Sequence, residues 1–177
     1  MSDRLDPPLD EADHVRGPAG APLELVMYGD FECPYCAAAQ SIVARVLDRT
    51  DGRVRFAFRH LPIDELHPQA RLAAEASEAA DAQDGFWAYH DALYANRGRL
   101  AAADLVGVAR RQGLDGERLA DELADHRWAP RVSRDTGSAR ASGVAGTPTF
   151  FANGVRHEGS FDAGSLIEAL ESGHPGP

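Results

Sequence analysis

The stretch Leu23-Glu-Leu-Val-Met-Tyr28 is a short apolar run ended by Gly29-Asp30, and it predicts a strand. From Pro34 the apolar period lengthens. Cys36, Ala39, Ile42, Val43, Val46 and Leu47 fall on one helical stripe, which Asp51-Gly52 breaks. Val54, Phe56 and Phe58 then alternate with Arg53, Arg55 and Arg59, the period of a strand whose arginine face is solvated. Residues 23–59 therefore predict a strand–helix–strand unit, the usual sign of parallel pairing.

The middle of the chain is alanine-rich and helical in pattern. Helices are predicted near 66–83, 86–96, 102–112, 116–126 and 130–142, with Pro62, Gly85, Gly98, Gly113 and Pro130 as breaks. The aromatic cluster Phe86 to Tyr94, with His90 inside it, predicts packing of these helices against a core. A second β region follows. Thr149-Phe-Phe-Ala152 and Val155-Arg-His-Glu158 flank Asn153-Gly154, a strong hairpin signal. Asp162 then caps a last helix with Leu166, Ile167 and Leu170 facing inward.

The order β-α-β, helical block, β-β-α predicts an α/β fold. It reads as a flexible N-terminal arm over 1–21, a core from 22–60 and 133–171, a helical insertion over 61–132 and a tail over 172–177. The arm is rich in Asp, Pro, Gly and Ala and has no apolar period. The formal net charge of −10 lacks the basic footprint that nucleic acid or anionic lipid requires. No run approaches the roughly 20 apolar residues of a membrane helix. The first residues show no basic start followed by an apolar stretch, so a cytoplasmic location is expected.

The two cysteines, Cys33 and Cys36, are three apart at the predicted strand-to-helix junction. Positions i and i+3 are neighbours on a helix, so the sulfurs come within bonding reach. Pro34 suits the first helical position, where a missing N–H costs nothing. Cys33 then meets the unpaired amides and positive dipole end of the helix, which stabilise a thiolate, the nucleophilic form. Cys36, one turn inside, is placed to resolve a mixed disulfide. Asp30 and Glu32 oppose a further negative charge at Cys33, and both are expected to be exposed and screened. A disulfide closing so small a loop adds little stability, so the pair reads as chemistry. A zinc site is the alternative. It needs further ligands, and none of the histidines His60, His67, His90, His126 and His157 pairs at zinc-motif spacing.

Gly146-Thr147-Pro148-Thr149-Phe150 opens the second β region. Taken locally, Pro148 is a strand-entry proline, tolerated because it lacks a ladder donor. Downstream of a strand–CxxC–helix it carries more. Tyr28-Gly-Asp-Phe-Glu-Cys-Pro-Tyr-Cys36, the helical insertion and Val144-Ala-Gly-Thr-Pro-Thr-Phe150 together resemble the DsbA family of the thioredoxin superfamily, over roughly residues 14–171.

That resemblance implies a thioredoxin-like fold with a helical insertion and a protein-disulfide oxidoreductase activity. It implies that Cys33 attacks, that Cys36 resolves, and that Pro34 and Tyr35 between them tune the potential. It further implies that Pro148 is cis and that Thr147 offers its backbone to a substrate strand. No cofactor beyond a redox-active Cys33–Cys36 disulfide is implied, and no metal. The partners implied are proteins bearing thiols or disulfides and a recycling thiol or reductase. Met27 stands where close relatives carry an acid, so Glu24 and His60 are the candidates for proton transfer. Pro-Tyr in place of Pro-His predicts a milder oxidant or a reductant. The alternative function is a redox-sensing regulatory domain without general turnover, related to domains fused to membrane transporters.

Overall fold

The computed structural model describes residues 3–172. Five strands form one sheet in the order β1-β3-β2-β4-β5, comprising β1 (His14–Arg16), β2 (Leu23–Gly29), β3 (Val54–His60), β4 (Thr149–Ala152) and β5 (Val155–Arg156). Seven helices accompany them among the described residues. They are α1 (Pro34–Arg49), α2 (Ala70–Asp81), α3 (Phe86–Ala95), α4 (Ala102–Arg111), α5 (Gly116–Ala124), α6 (Ala129–Ala141) and α7 (Ala163–Ser172). The fold is α/β and thioredoxin-like, and each helix predicted from the apolar period is present. The tail beyond Ser172 lies outside the described residues.

The chain divides into two compact units, one holding the stretches up to Gly29, Ala38–Arg59 and from Gly137 on, the other Asp30–Ala37 and His60–Thr136. In the first unit β2 is buried along nearly its whole length, as a strand covered on both faces must be. It runs antiparallel to β4, with Met27 opposite Phe150 and Tyr28 opposite Thr149. Leu166 and Leu170 of α7 are fully buried, and α7 packs on β2 and β4. Asn153 and Gly154 both take positive φ, 49° and 75°, which joins β4 to β5 as the two-residue hairpin the sequence predicts. The Asp162 side chain accepts from Ser165 N–H at 3.0 Å and caps α7.

The N-terminal arm is a correction. Residues 14–16 pair antiparallel with β3, and Leu5 is buried and donates its N–H to Gly154 O at 2.9 Å. Gly17 ends β1 at φ +104°, where a Cβ would lie 2.5 Å from Val54 O, so only glycine fits. The anchor is Arg59, which is also a correction: the strand period put it on a solvated face, yet it is buried. Its Nε and Nη2 each donate to Asp13 at 2.8 Å, and Nη1 and Nη2 reach Pro7 O at 2.9 Å and Pro8 O at 3.1 Å. Nη1 also meets Ser138 Oγ at 2.8 Å and Tyr28 OH at 3.3 Å. Burial opposes the charge, but the bonds to Asp13 and Tyr28 hold the guanidinium pKa above its ordinary value. Apolar periodicity could not reveal this, because the partner carbonyls come from a segment with no pattern.

In the second unit α2 packs against α3, α4 and α5. Tyr89 OH donates to Leu105 O at 2.9 Å and joins α3 to α4. Asp115 caps α5 by accepting from Glu117 N and Arg118 N at 3.0 Å. The sequence assigns the cysteine segment to the core. The structure groups Asp30–Ala37 with the helical residues instead.

Replacing Arg59 with Met leaves Asp13 buried without its cation, a loss on the order of 3–5 kcal/mol. Urea unfolding should show it as a lower midpoint, and Asp13→Asn in the same chain should recover part of the loss.

Candidate active site

Beyond Gly29 the chain leaves the sheet and turns into α1. Cys33 caps the helix, with Ala37 N–H donating to Cys33 O at 3.1 Å, and Pro34 takes the first helical position. Cys33 and Cys36 are both buried, with no disulfide between them, and they lie 3.6 Å apart. Tyr35 between them is 66 % exposed. One turn of helix thus presents two thiols within reach of each other and a bare aromatic ring beside them.

The loop before Cys33 is held by carboxylates. Asp30 is buried, where the sequence reading expects it exposed. Its Oδ1 accepts from Glu32 N at 2.8 Å and Cys33 N at 3.3 Å. Its Oδ2 accepts from Ile63 N at 2.9 Å, and His67 Nδ1 lies 2.8 Å away. A carboxylate only accepts, so Nδ1 of His67 carries the proton. Glu32 Oε2 accepts from Gln69 N at 2.6 Å, and Gln69 Oε1 from Leu100 N at 3.2 Å. Phe31, between the two acids, is buried among rings, with centroids 5.6 Å from His90 and 5.0 Å from Tyr94. Two acids and one ring therefore bind the cysteine segment to the β3–α2 connection and to α3.

Tyr94 is buried and its hydroxyl faces Cys36, Asp30 and Cys33. Burial pushes its pKa well up, and the neighbouring negative groups push the same way, so it remains a neutral donor. Sequence reading placed Asp30 beside Cys33 but expected it exposed, and it missed His67 and Tyr94 as parts of this corner. An Asp whose side chain can accept from the amides two and three residues on is an Asx-turn signal and could have pointed to the burial of Asp30. The other two are brought in by packing.

The remaining candidates lie elsewhere. Thr147 and Pro148 are half-buried at the entry to β4 in the first unit, and the peptide bond between them is cis. Glu24, also in the first unit, spends its carboxylate on an ion pair with Arg55. His60 is the buried last residue of β3, with Nε2 2.7 Å from Glu78 Oε1 and its N–H donating to Asp135 Oδ2 at 2.9 Å. Both proton-transfer candidates are therefore engaged by charged partners of their own. Met27 is fully buried in β2.

A family model described as "Thioredoxin" matches residues 9–172. The Na(+)/H(+) antiporter NhaA 1 of Salinispora arenicola is 49% identical over 171 residues, 96% of this chain and 26% of the antiporter. The chain thus spans about a quarter of the length of the curated relatives it matches. Among solved structures, oxidised BdbD from Bacillus subtilis superposes with a TM-score of 0.86 at 24% identity, covering 97% of this chain and 96% of that one. A thioredoxin-like oxidoreductase from Silicibacter pomeroyi superposes with a TM-score of 0.80 at 29% identity, covering 93% of each.

Tyr89 and Tyr94 should both stay protonated through the range in which an exposed tyrosine ionises, near pH 10. In a spectroscopic pH titration their phenolate absorbance should appear only with unfolding. Tyr94→Phe should leave the titration of the folded protein unchanged.

Proposed function

Because this chain belongs to the thioredoxin family, we propose that it exchanges disulfides with protein or small-thiol substrates through Cys33 and Cys36. The observation that carries the reading is the pair of buried cysteines 3.6 Å apart at the N-terminus of α1. The Cys33 thiolate attacks one sulfur of a substrate disulfide. The substrate S–S bond breaks, one substrate sulfur leaves as thiolate and takes a proton, and a mixed disulfide forms. Cys36 loses its proton and attacks the Cys33 sulfur, which releases the second substrate sulfur. The substrate has gained two electrons, and Cys33–Cys36 is oxidised. An oxidase runs the same steps in reverse.

Thr147 and Pro148 are read as the substrate-binding residues on the resemblance, and Pro34 and Tyr35 as the tuning pair. The exposed Tyr35 ring supports contact with a substrate chain. The reaction needs no cofactor beyond the cysteine pair, and a thiol or reductase partner recycles it. A reducing compartment such as the cytoplasm would keep the pair largely as dithiol. No helix among the described residues is long and apolar enough to cross a membrane.

The antiporter relatives favour a second reading, a redox-responsive domain serving a transporter rather than general substrates. Turnover separates the two. A generic disulfide substrate should be reduced catalytically under the first reading and stoichiometrically under the second.

Cys36→Ser should accumulate the mixed disulfide on Cys33, seen as an adduct by mass spectrometry; absence of any adduct under mild oxidation would sink the assigned roles. Equilibration in thiol/disulfide buffers should give a reversible potential. A value near about −270 mV marks a reductase, and one between about −120 and −180 mV marks an oxidant or isomerase.

A further inference from the structure

Asp30 takes no part in the exchange steps above, yet it is the buried charge built into the segment that carries Cys33. Its side chain is fully buried, that of His67 is 20 % exposed, and the two lie 2.8 Å apart. One carboxylate oxygen binds the Cys33 amide, so the charge sits against the residue that must itself become an anion. A charge removed from water is little screened by salt. Like charges at such range disfavour each other, and a neighbouring cation reverses the effect.

We propose that Asp30 and His67 form a charge pair that sets the thiolate stability, and hence the redox balance, of Cys33. Asp30 is a positioning residue: it fixes the turn before Cys33, and its negative charge opposes the thiolate. His67 keeps one proton on Nδ1 toward Asp30. A second proton on Nε2 makes the pair neutral overall and relieves the opposition. Deprotonation of Cys33 and protonation of His67 therefore favour each other. The other titratable groups around this corner are few. Glu32 is engaged by Gln69 N–H, Cys36 is the partner thiol, and Tyr94 stays neutral. Asp64, on the connection that carries His67, is paired with Arg71 at 2.6 Å, and His60 and His90 pack against Phe31.

Thermodynamics gives the direction. A stabilised thiolate lowers the energy of the reduced form and makes the pair more oxidising. The native Asp30 charge thus shifts the pair toward a reductant, and His67 moderates that shift. The inference rests on the thiol-exchange reading and adds what regulates it.

The test uses the full chain with Asp30→Asn and, separately, His67→Gln. Iodoacetamide alkylation of Cys33 is followed by mass between about pH 5 and 8, the range in which histidine titrates. The dithiol/disulfide equilibrium is measured against glutathione. Asp30→Asn should raise the Cys33 alkylation rate at acidic pH about tenfold and make the pair more oxidising by about tenfold in its equilibrium constant, about 30 mV. His67→Gln should move both quantities the other way. Opposite signs identify charge, since lost shape alone would not drive the two variants apart. Unchanged pH profiles, or shifts of the same sign, would overturn the proposal. If Asp30→Asn does not fold, His67→Lys, a permanent cation, must move the profile opposite to His67→Gln. Alkylation requires no turnover. A chain whose profiles shift as stated but which never equilibrates with glutathione would refute the exchange reading and leave the charge pair standing.

Discussion

A single buried carboxylate organises the cysteine segment. Asp30 accepts from two amides of its own turn, from the Ile63 amide and from His67, so one side chain joins the start of α1 to the β3–α2 connection. Burying a charge is costly unless its acceptor capacity is filled, and here both oxygens are bonded. The Cys33–Cys36 turn inherits its position from that constraint. Glu32 and Phe31 extend it, one to Gln69 and the other into the rings of His90 and Tyr94. This is why residues 30–37 group with the helical residues rather than with the sheet that precedes them.

The first unit applies the same device with the opposite sign. Arg59 is a buried cation whose donors meet Asp13, two proline carbonyls, a serine and a tyrosine. The N-terminal residues have no apolar stripe to bury, and beside the β1–β3 pairing and buried Leu5 they are held by satisfying one guanidinium. In each unit, polar saturation fixes a segment that hydrophobic patterning leaves unspecified.

These constraints bear on the chemistry. The helix terminus favours a thiolate at Cys33, and a buried acid beside it disfavours one. A neutral phenol faces both sulfurs and Asp30. Under the proposed exchange, the potential is a balance of opposed local terms.

Much of the fold was legible in the sequence, because apolar period and turn chemistry are local. The stripe from Cys36 to Leu47, the alternation in β3, Asn153-Gly154 and the Asp162 cap are all found in place. The helix-start cysteines were legible too, since spacing and Pro34 specify that turn directly. The fates of the polar residues were not. Arg59 follows the same alternation as Arg55, yet one is buried and the other half-exposed, because what covers a strand end is decided by a distant segment. Asp30 reads as a solvated acid until the β3–α2 connection closes over it, and His67 reads as a helix entry until it meets Asp30. Periodicity determines which faces are apolar. Only the tertiary structure decides which charges lose their water and which groups take its place.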